Sequence, residues 1–541
     1  MQRLGKSHYR SAEAHREPFQ QLLKLLGGYP LAMEVVLNNL HTQTPAQVLD
    51  ALNRADVKLD EDADTGDKTK SILRCIDYSH GNLSPLAQDL LLCLAPFTGV
   101  VNANWLPQYL GQLQKAWVAQ PQKSDFSEKS DFSIPDAGQW QGVLQEAAHW
   151  GLVAEHEVGG GYLRLQPVLP YFLKTRLHDP AQATRQQVIE TAFREHYQGI
   201  GEALAELITS KQPQERQTGQ ALIGLEYENL LTAVNLALTA QSNFFHAYEA
   251  ILRFLWVLQQ NQQAIILSEH VLSFRNKYPS AELQSEIGED FALVLDRLAQ
   301  SSLEVKAYAK AEQAYHLKLK YHAELIHLSE ESKAIKRAGT INMLGIVAEM
   351  QRKWDVATEY FQQASQIFEE FNHPYQGNAL HQLGIVAQEQ RQWDAAADYF
   401  RQALQIFIAF NDRYEQAKEY HHLGVVAQEQ RQWDAAADYF RQALQIFIEF
   451  NDRYSQGSTL NQLGQLAWEQ EQREPSVDYY LQAITIAVEF KDEYRIKTRT
   501  ENLARVWQAS GQGAGIPARL AALLDLTPAQ AEERLRAALA G

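Results

Sequence analysis

Residues 383–410 read LGIVAQEQRQWDAAADYFRQALQIFIAF, and residues 423–450 read LGVVAQEQRQWDAAADYFRQALQIFIEF. The second segment begins 40 residues after the first, and the two are identical over 386–408 and 426–448. Weaker copies at a spacing of 39 or 40 residues begin at Leu344, Leu463 and Leu503. Self-similarity at such a period indicates supersecondary units that stack on one another. We therefore predict that a solenoid of paired helices organises the chain.

Each copy has the residue pattern of two packed helices. Gly384 in the first helix and Ala396 in the second are small, which lets the two helices cross closely. Phe400 and Phe407 lie seven residues apart, on one face of the second helix, and are expected to fill the space between units. The pattern resembles the tetratricopeptide repeat (TPR), in a form of about 40 residues. This resemblance implies a mainly α fold, a TPR-type α–α superhelix.

The composition is that of an ordinary globular protein, with 45% hydrophobic and 21% charged residues. The net charge of −17 disfavours nucleic acid and anionic membranes as partners, because both require basic patches. Two cysteines, Cys75 and Cys93, are too few for a disulfide framework or a zinc site. The sequence contains no apolar run of about 18 residues and no secretory signal, so we expect a cytoplasmic location.

A second motif lies near the N-terminus. Residues 27–40 read GGYPLAMEVVLNNL, and Pro30 favours a helix–turn–helix junction there, since proline suits the first turn of a helix. The segment also resembles the glycine-x-proline motif of the NB-ARC and related STAND signalling ATPases, in which the proline packs near the adenine of bound ADP. Residues 71–97 are similar to the first part of the winged-helix domain of that family. Residues 151–165 then predict a small β-hairpin around three glycines.

Two departures from that family bear on nucleotide binding. Gln166 stands where family members carry a histidine that reaches the nucleotide. Gly5-Lys6-Ser7 is the only fragment similar to a phosphate loop, and it lacks the preceding strand and the upstream glycine that such a loop needs. The resemblance therefore implies the C-terminal part of a STAND ATPase without its P-loop core. Pro30 and Gln166 would be vestigial, and no cofactor is expected.

The first helix of each repeat offers candidate binding residues. Mapping the TPR groove positions onto this sequence gives amides, carboxylates and two histidines: Asn342, Glu349, Asn378, His381, Gln388, Lys418, His421, Gln428, Asn461, Gln465 and Trp468. Such side chains can hydrogen-bond the backbone of an extended peptide, and Trp468 could anchor a side chain. Solvated surface is the alternative interpretation. Because only Lys418 is basic, capture of an acidic C-terminus is disfavoured.

Metal binding and catalysis are not expected. His381 and His421 lie one repeat apart, and stacked helices are separated by about 10 Å, too far to share an ion without further ligands. The chain lacks the motifs of nucleophilic or metal-dependent hydrolases. We therefore predict no metal site and no enzymatic activity.

These patterns divide the chain into five predicted segments: a helical segment at 1–60, a winged-helix-like domain at 61–180, a helical bridge at 181–300, TPR repeats at 301–510 and capping helices at 511–541. The leading hypothesis is the sensor and protein-interaction arm of a bacterial STAND-type signalling system. In this hypothesis the arm would bind a protein or peptide partner and work with a STAND-type ATPase module. A free-standing TPR scaffold is the alternative. A DNA-binding regulator is disfavoured by the acidic charge.

Overall fold

The computed structural model describes residues 18–21, 44–48, 76–120, 136–210, 212–513 and 515–540. Pro30 and the Gly5-Lys6-Ser7 fragment lie outside these residues. The chain divides into two compact units, Met1–Glu282 and Leu283–Gly541, and each is considered by itself. Within the described ranges, no helix is both long enough and apolar enough to cross a membrane.

The described residues of unit 1 form helices and a small sheet. The helices from residue 85 onward include α1 (Pro85–Leu91), α2 (Leu106–Val118), α3 (Ala137–His149), α4 (Leu169–Leu177), α5 (Ala183–Thr209), α6 (Pro213–Thr239), α7 (Phe245–Val257) and α8 (Asn261–Ser273). The side chain of Ser84 caps α1 by accepting a hydrogen bond from the Ala87 N–H, and Pro85 occupies the first turn. This is the helix start that serine followed by proline favours.

The sheet has three antiparallel strands: β1 (Val100–Asn102), β2 (Val153–Glu155) and β3 (Tyr162–Leu165). The strand β3 lies in the centre, pairing with β1 on one side and β2 on the other. The β2–β3 hairpin confirms the prediction for residues 151–165. The strand β1 was not predicted, because a three-residue run carries too little periodicity to be recognised.

A buried polar cluster joins α6 to the sheet. The Asn229 side chain accepts a hydrogen bond from the Thr98 N–H at 2.6 Å and donates to the Val100 carbonyl at 3.0 Å. The Tyr197 hydroxyl donates to Glu226 at 2.7 Å, so α5 belongs to the same cluster. Burial raises the pKa of the Glu226 carboxyl. Because buried polar groups are costly unless they are bonded, these contacts fix the long helices against β1.

Unit 2 is a succession of helix pairs. In chain order they are α9 (Glu286–Glu304) with α10 (Tyr308–Glu324), α11 (Glu330–Met350) with α12 (Trp354–Glu370), α13 (Tyr375–Glu389) with α14 (Trp393–Ala409), α15 (Arg413–Glu429) with α16 (Trp433–Glu449), and α17 (Arg453–Glu469) with α18 (Arg473–Glu489). After α19 (Glu493–Ala509) come α20 (Gly515–Leu524) and α21 (Pro528–Ala540). We call the first helix of each pair the A helix and the second the B helix.

The turns between helices repeat one geometry. At the α13–α14 turn, Arg391 has a φ of 57° and its N–H donates to the Gln388 carbonyl, while the Gln392 N–H donates to the Ala387 carbonyl. This pair of bonds is the Schellman motif, which ends a helix with one residue in the left-handed region. Asp412 then caps α15 by accepting from the Glu415 N–H. Where they recur, these local bonds fix where a helix ends and the next begins, and hence the period.

The small residues of the repeat make room for aromatic rings. A Cβ atom added to Gly384 would lie 2.5 Å from Phe400 Cε1, in the B helix of the same repeat. Gly345, Gly424 and Gly464 face Phe361, Phe440 and Tyr480 in the same way. Phe400 also packs with Leu423 of the next repeat, so one ring joins two units. The predicted close crossing of the two helices is confirmed.

The C-terminal helices cover the last repeat. Leu520 of α20 and Leu535 of α21 are fully buried in one cluster with Trp507. Thr527 and Gln530 form a capping box at the start of α21, with the Thr527 N–H donating to Gln530 Oε1 at 2.9 Å. Terminal repeats need such a cover because they otherwise expose the apolar face meant for a neighbour.

Candidate functional site

The candidate residues form two columns on the A helices. The first column contains one residue of each A helix from α11 to α17: Asn342, His381, His421 and Asn461. The second column lies seven residues further, two turns along the same face: Glu349, Gln388, Gln428 and Trp468. We call the surface made by these two columns the A-helix face.

Side chains of the first column reach to the following repeat. His381 Nδ1 lies 2.7 Å from Glu419 Oε1, and His421 Nδ1 lies 3.1 Å from Thr459 Oγ1. Both partners stand 38 residues after the histidine. For Asn342, the equivalent position of the next repeat is Ala379, which has no polar group. Asn342 Oδ1 accordingly is buried and has no hydrogen-bond partner in the described part of the chain.

Glu419 is an unusual residue for its position. Equivalent positions in three other repeats carry Thr340, Ala379 and Thr459, which are small and buried, whereas the last copy carries the buried Arg499. The Glu419 side chain is fully buried, and burial raises the pKa of its carboxyl against the opposing effect of His381. Its second oxygen, Oε2, has no hydrogen-bond partner among the described residues. A buried acceptor without a donor costs roughly 1–3 kcal/mol, so this repeat sacrifices stability here.

His422 brings the ring systems of neighbouring repeats together. Its ring stacks on Phe400 at a centroid distance of 5.0 Å and lies 5.0 Å from the His381 ring. Burial lowers the pKa of His421 to about 4 and holds that of His422 well below its usual value. Both rings are therefore neutral near pH 7. Over the described ranges, no three His, Cys, Asp or Glu side chains are grouped so that they could hold a metal ion.

The second column differs from the first in containing a carboxylate and a tryptophan. Burial, followed by the nearby Glu389 carboxylate, raises the pKa of Glu349. Gln388 Oε1 lies 3.4 Å from His422 Nδ1. Gln428 is only 8% exposed, and its Oε1 has no partner within the described segments. Trp468 is half-buried and packs partly against the C-terminal cluster around Trp507.

The other candidates lie at the edges of the A-helix face. Asn378 is exposed, and Gln465 is half-buried. Lys418 forms an ion pair with Glu415 at 2.5 Å, in its own helix, and lies over the Tyr414 ring. Asn461 Oδ1 accepts a hydrogen bond from Asn502 at 3.3 Å.

A row of carboxylates runs beside the second column. Glu389, Glu429 and Glu469 are the last residues of α13, α15 and α17, and all three are exposed. In the described part of the chain, no Lys, Arg or His nitrogen lies within 4 Å of any of them. The mapping of TPR groove positions onto the sequence also includes Glu389, Glu429 and Glu469, but spacing alone does not show whether they have a counter-charge.

Sequence reasoning did not include Glu419 or His422 among the candidates. The available signal for Glu419 was a charged residue at a position that is small in the two adjacent repeats, Ala379 and Thr459. His422 could not be recognised as part of the site, because its contacts depend on how consecutive repeats are offset.

The tetratricopeptide repeat family model matches residues 337–409 and 415–487. No curated protein matches the chain. The structure resembles that of a STAND protein with a tetratricopeptide repeat sensor from Pyrococcus horikoshii, at 14% identity and a TM-score of 0.51, over 98% of this chain and 67% of that one.

Two further likenesses have lower TM-scores. BtubC from P. vanneervenii matches at 17% identity over 43% of this chain and 93% of its own, with a TM-score of 0.36. Aspartyl phosphate phosphatase F from Bacillus subtilis matches at 12% identity over 64% and 94%, with a TM-score of 0.34. Because the TM-scores of these two are below 0.5, they support no further comparison. The likeness to the STAND protein has a TM-score of 0.51, and at 14% identity it concerns the fold alone. Residues 337–409 and 415–487 are thus tetratricopeptide repeats in a TPR-type α superhelix, an architecture that indicates protein–protein interaction.

Proposed function

We propose that unit 2 is a protein-interaction arm that binds an extended peptide segment of a partner along the A-helix face. The observation that carries this proposal is the one-per-repeat column of Asn342, His381, His421 and Asn461. A column with a constant step suits a ligand that also has a constant step, such as an extended backbone. The proposed binding residues are Asn342, Glu349, Asn378, His381, Gln388, Lys418, His421, Gln428, Asn461, Gln465 and Trp468.

Two residues of the A-helix face differ from plain solvated surface. Asn342 Oδ1 and Gln428 Oε1 are buried acceptors without a hydrogen-bond partner among the described residues, and such atoms cost stability. A ligand could pair with them only if the two side chains turned outward on binding.

The wider proposal is that the chain serves a STAND-type switch. The resemblance of residues 27–40 and 71–97 to that family supports it, together with the fold likeness over nearly the whole chain. In this proposal, the helical segment at 1–60 and the winged-helix-like domain at 61–180 transmit the binding of a ligand to a nucleotide switch. The helical bridge at 181–300 connects them to the TPR repeats at 301–510, which are the arm. The capping helices at 511–541 cover the end of the arm. Gln166, buried and bonded through its N–H to the Leu152 carbonyl, would make no nucleotide contact.

Selection from a random peptide library tests the arm directly. Peptides selected on the intact chain should bind at least about tenfold more weakly to a double variant that blocks the A-helix face, Asn378→Trp with Gln465→Trp. The matched control places tryptophan on B helices at two exposed glutamines, Gln402→Trp with Gln442→Trp, and should bind normally. Circular dichroism checks that both variants fold. The proposal fails if the library yields no ligand, or if both variants bind alike.

A further inference from the structure

The A helix α15 carries two neighbouring histidines that contact different repeats. The His422 ring stacks on the Phe400 ring of the preceding repeat at a centroid distance of 5.0 Å. The His421 ring lies 5.6 Å from the Phe440 ring of its own repeat, and its Nδ1 lies 3.1 Å from Thr459 Oγ1 of the following repeat. Both imidazoles are half-buried. Two groups that can gain a proton therefore lie in the contacts of α15 with the adjacent repeats, which we call the α15 joint.

The adjacent A helices carry an amide in place of at least one of the two histidines. The following repeat has Asn461 and Gln462 at these positions, and the preceding repeat has Gln382 at the second of them. The preceding repeat is identical to that of α15 over residues 386–408 and 426–448. A repeat with this frame therefore folds with an amide at the second position, so the fold does not require a histidine there.

The surroundings of His422 make a positive charge on its ring costly. Burial, followed by the neighbouring charges of His381 and His421, holds the pKa of His422 well below its usual value. The His381 ring lies 5.0 Å away on α13, and Gln388 Oε1 of the same helix lies 3.4 Å from His422 Nδ1. Two imidazolium rings at this distance repel each other, and partial burial weakens the screening by water. A proton on His422 therefore weakens the contact between α13 and α15.

Glu419 is a carboxylate in the α15 joint, and it loses its charge in acid. Its Oε1 lies 2.7 Å from His381 Nδ1, and its side chain is fully buried. Burial raises the pKa of its carboxyl against the opposing effect of His381, so it takes up a proton before an exposed carboxyl does. Further charges that face the joint are the Glu415–Lys418 pair of α15, at 2.5 Å, and Glu349 of α11. As the pH falls, the joint loses the negative charge of Glu419 while the histidines gain positive charge.

We propose that the α15 joint is acid-sensitive and that α15 separates from the adjacent repeats when His421 and His422 gain protons. In a solenoid each repeat contacts only its neighbours, so weaker contacts at one helix open the arm at that place. The A-helix face crosses α15, and its opening would also release a peptide bound there. This release rests on the proposed function, whereas the opening itself does not.

The direction and size of the effect follow from the protons that the closed and open forms bind. Burial lowers the pKa of His421 to about 4 in the closed form, whereas an exposed histidine has a pKa of about 6.5. Lowering the pH from 7.5 to 4.5 therefore favours the open form by about 70-fold through this residue, and His422 acts in the same direction. Glu419 acts in the opposite direction, because its raised pKa means that the closed form binds its proton first. With two histidines against one carboxyl, we expect a net increase in opening of at least about tenfold.

Hydrogen–deuterium exchange of the intact chain, read by mass spectrometry, tests the inference. Rates at pH 7.5 and 4.5 are corrected for the intrinsic exchange rate at each pH, so that they report the opening of each helix. We expect α15 to exchange at least about tenfold faster at pH 4.5, and α19, two A helices further on, to change less. His421→Asn with His422→Gln gives α15 the residue types that α17 carries and should abolish the acceleration.

The matched control, His316→Asn with His327→Gln, removes two histidines of unit 2 outside the α15 joint and should retain the acceleration. Equal acceleration of α15 and α19 would overturn the inference, and so would an unchanged acceleration in the α15 variant. If the double variant does not fold, His422→Gln alone must reduce the acceleration, since glutamine occupies that position in both adjacent repeats. Should α15 open in acid while no peptide binds the A-helix face, the inference stands and the proposed function fails.

Discussion

Replacement of Gly384 by alanine should destabilise unit 2, although alanine is the better helix former. The new Cβ atom would lie 2.5 Å from Phe400 Cε1 and 2.7 Å from Cδ1. Phe400 is fully buried and packs against Leu423 of the next repeat, so the ring cannot move away freely. Overpacking of this kind costs about 1–3 kcal/mol, whereas helix propensity returns about 1 kcal/mol. We expect a net loss of about 1 kcal/mol in the free energy of unfolding.

The chain contains a matched control for this substitution. Gly339 lies inside the A helix α11, and a Cβ atom there would meet nothing within 4 Å. Gly339→Ala should therefore gain up to about 1 kcal/mol, since only helix propensity changes. Urea unfolding followed by far-ultraviolet circular dichroism measures both variants. If Gly384→Ala stabilises the protein as Gly339→Ala does, the close crossing of A and B helices is not the constraint that fixes the glycine.

Two further predictions concern a turn and a buried ring. Arg431 has a φ of 59°, so Arg431→Gly should stabilise unit 2 by about 0.5–1 kcal/mol in urea unfolding; an unchanged or lower midpoint would contradict this. His421 has its pKa lowered to about 4 by burial, so the unfolded chain binds a proton between about pH 6.5 and 4 that the folded chain does not. Stability should fall as the pH is lowered through that window, with Glu419, whose pKa is raised, acting in the opposite direction. His421→Asn should flatten the curve of midpoint against pH, and an equally steep curve would refute the assignment.

Much of the architecture could be predicted because it follows from short, recurring sequence patterns. The 40-residue period alone predicts stacked helix pairs, and the glycines of the A helices predict where a ring packs. Ser84 and Thr527 act at the helix starts where their sequence context places them. Such features depend only on residues within one or two turns of each other.

The contacts between repeats were not predictable in the same way. The bond from His381 to Glu419 joins residues 38 positions apart, and it depends on the offset between two A helices. The same offset leaves Asn342 Oδ1 without a hydrogen-bond partner among the described residues, because Ala379 stands opposite. Sequence spacing fixes which residues share a face, but not how far one helix is shifted along its neighbour. Sequence alone also does not show which charges lack a counter-charge. The carboxylates of Glu389, Glu429 and Glu469 can be recognised as unpaired among the described residues only once the ion pairs of the structure are known.

The most direct test of the account is a map of where a bound peptide lies. A library-selected peptide carrying a photoreactive diazirine can be cross-linked to the intact chain and the attachment sites identified by mass spectrometry. The account predicts cross-links on α13, α15 and α17, at residues of the A-helix face such as Asn378, Gln428 and Gln465. Cross-links confined to B helices, for example at the exposed Ile408 and Ile448, or to unit 1, would contradict it.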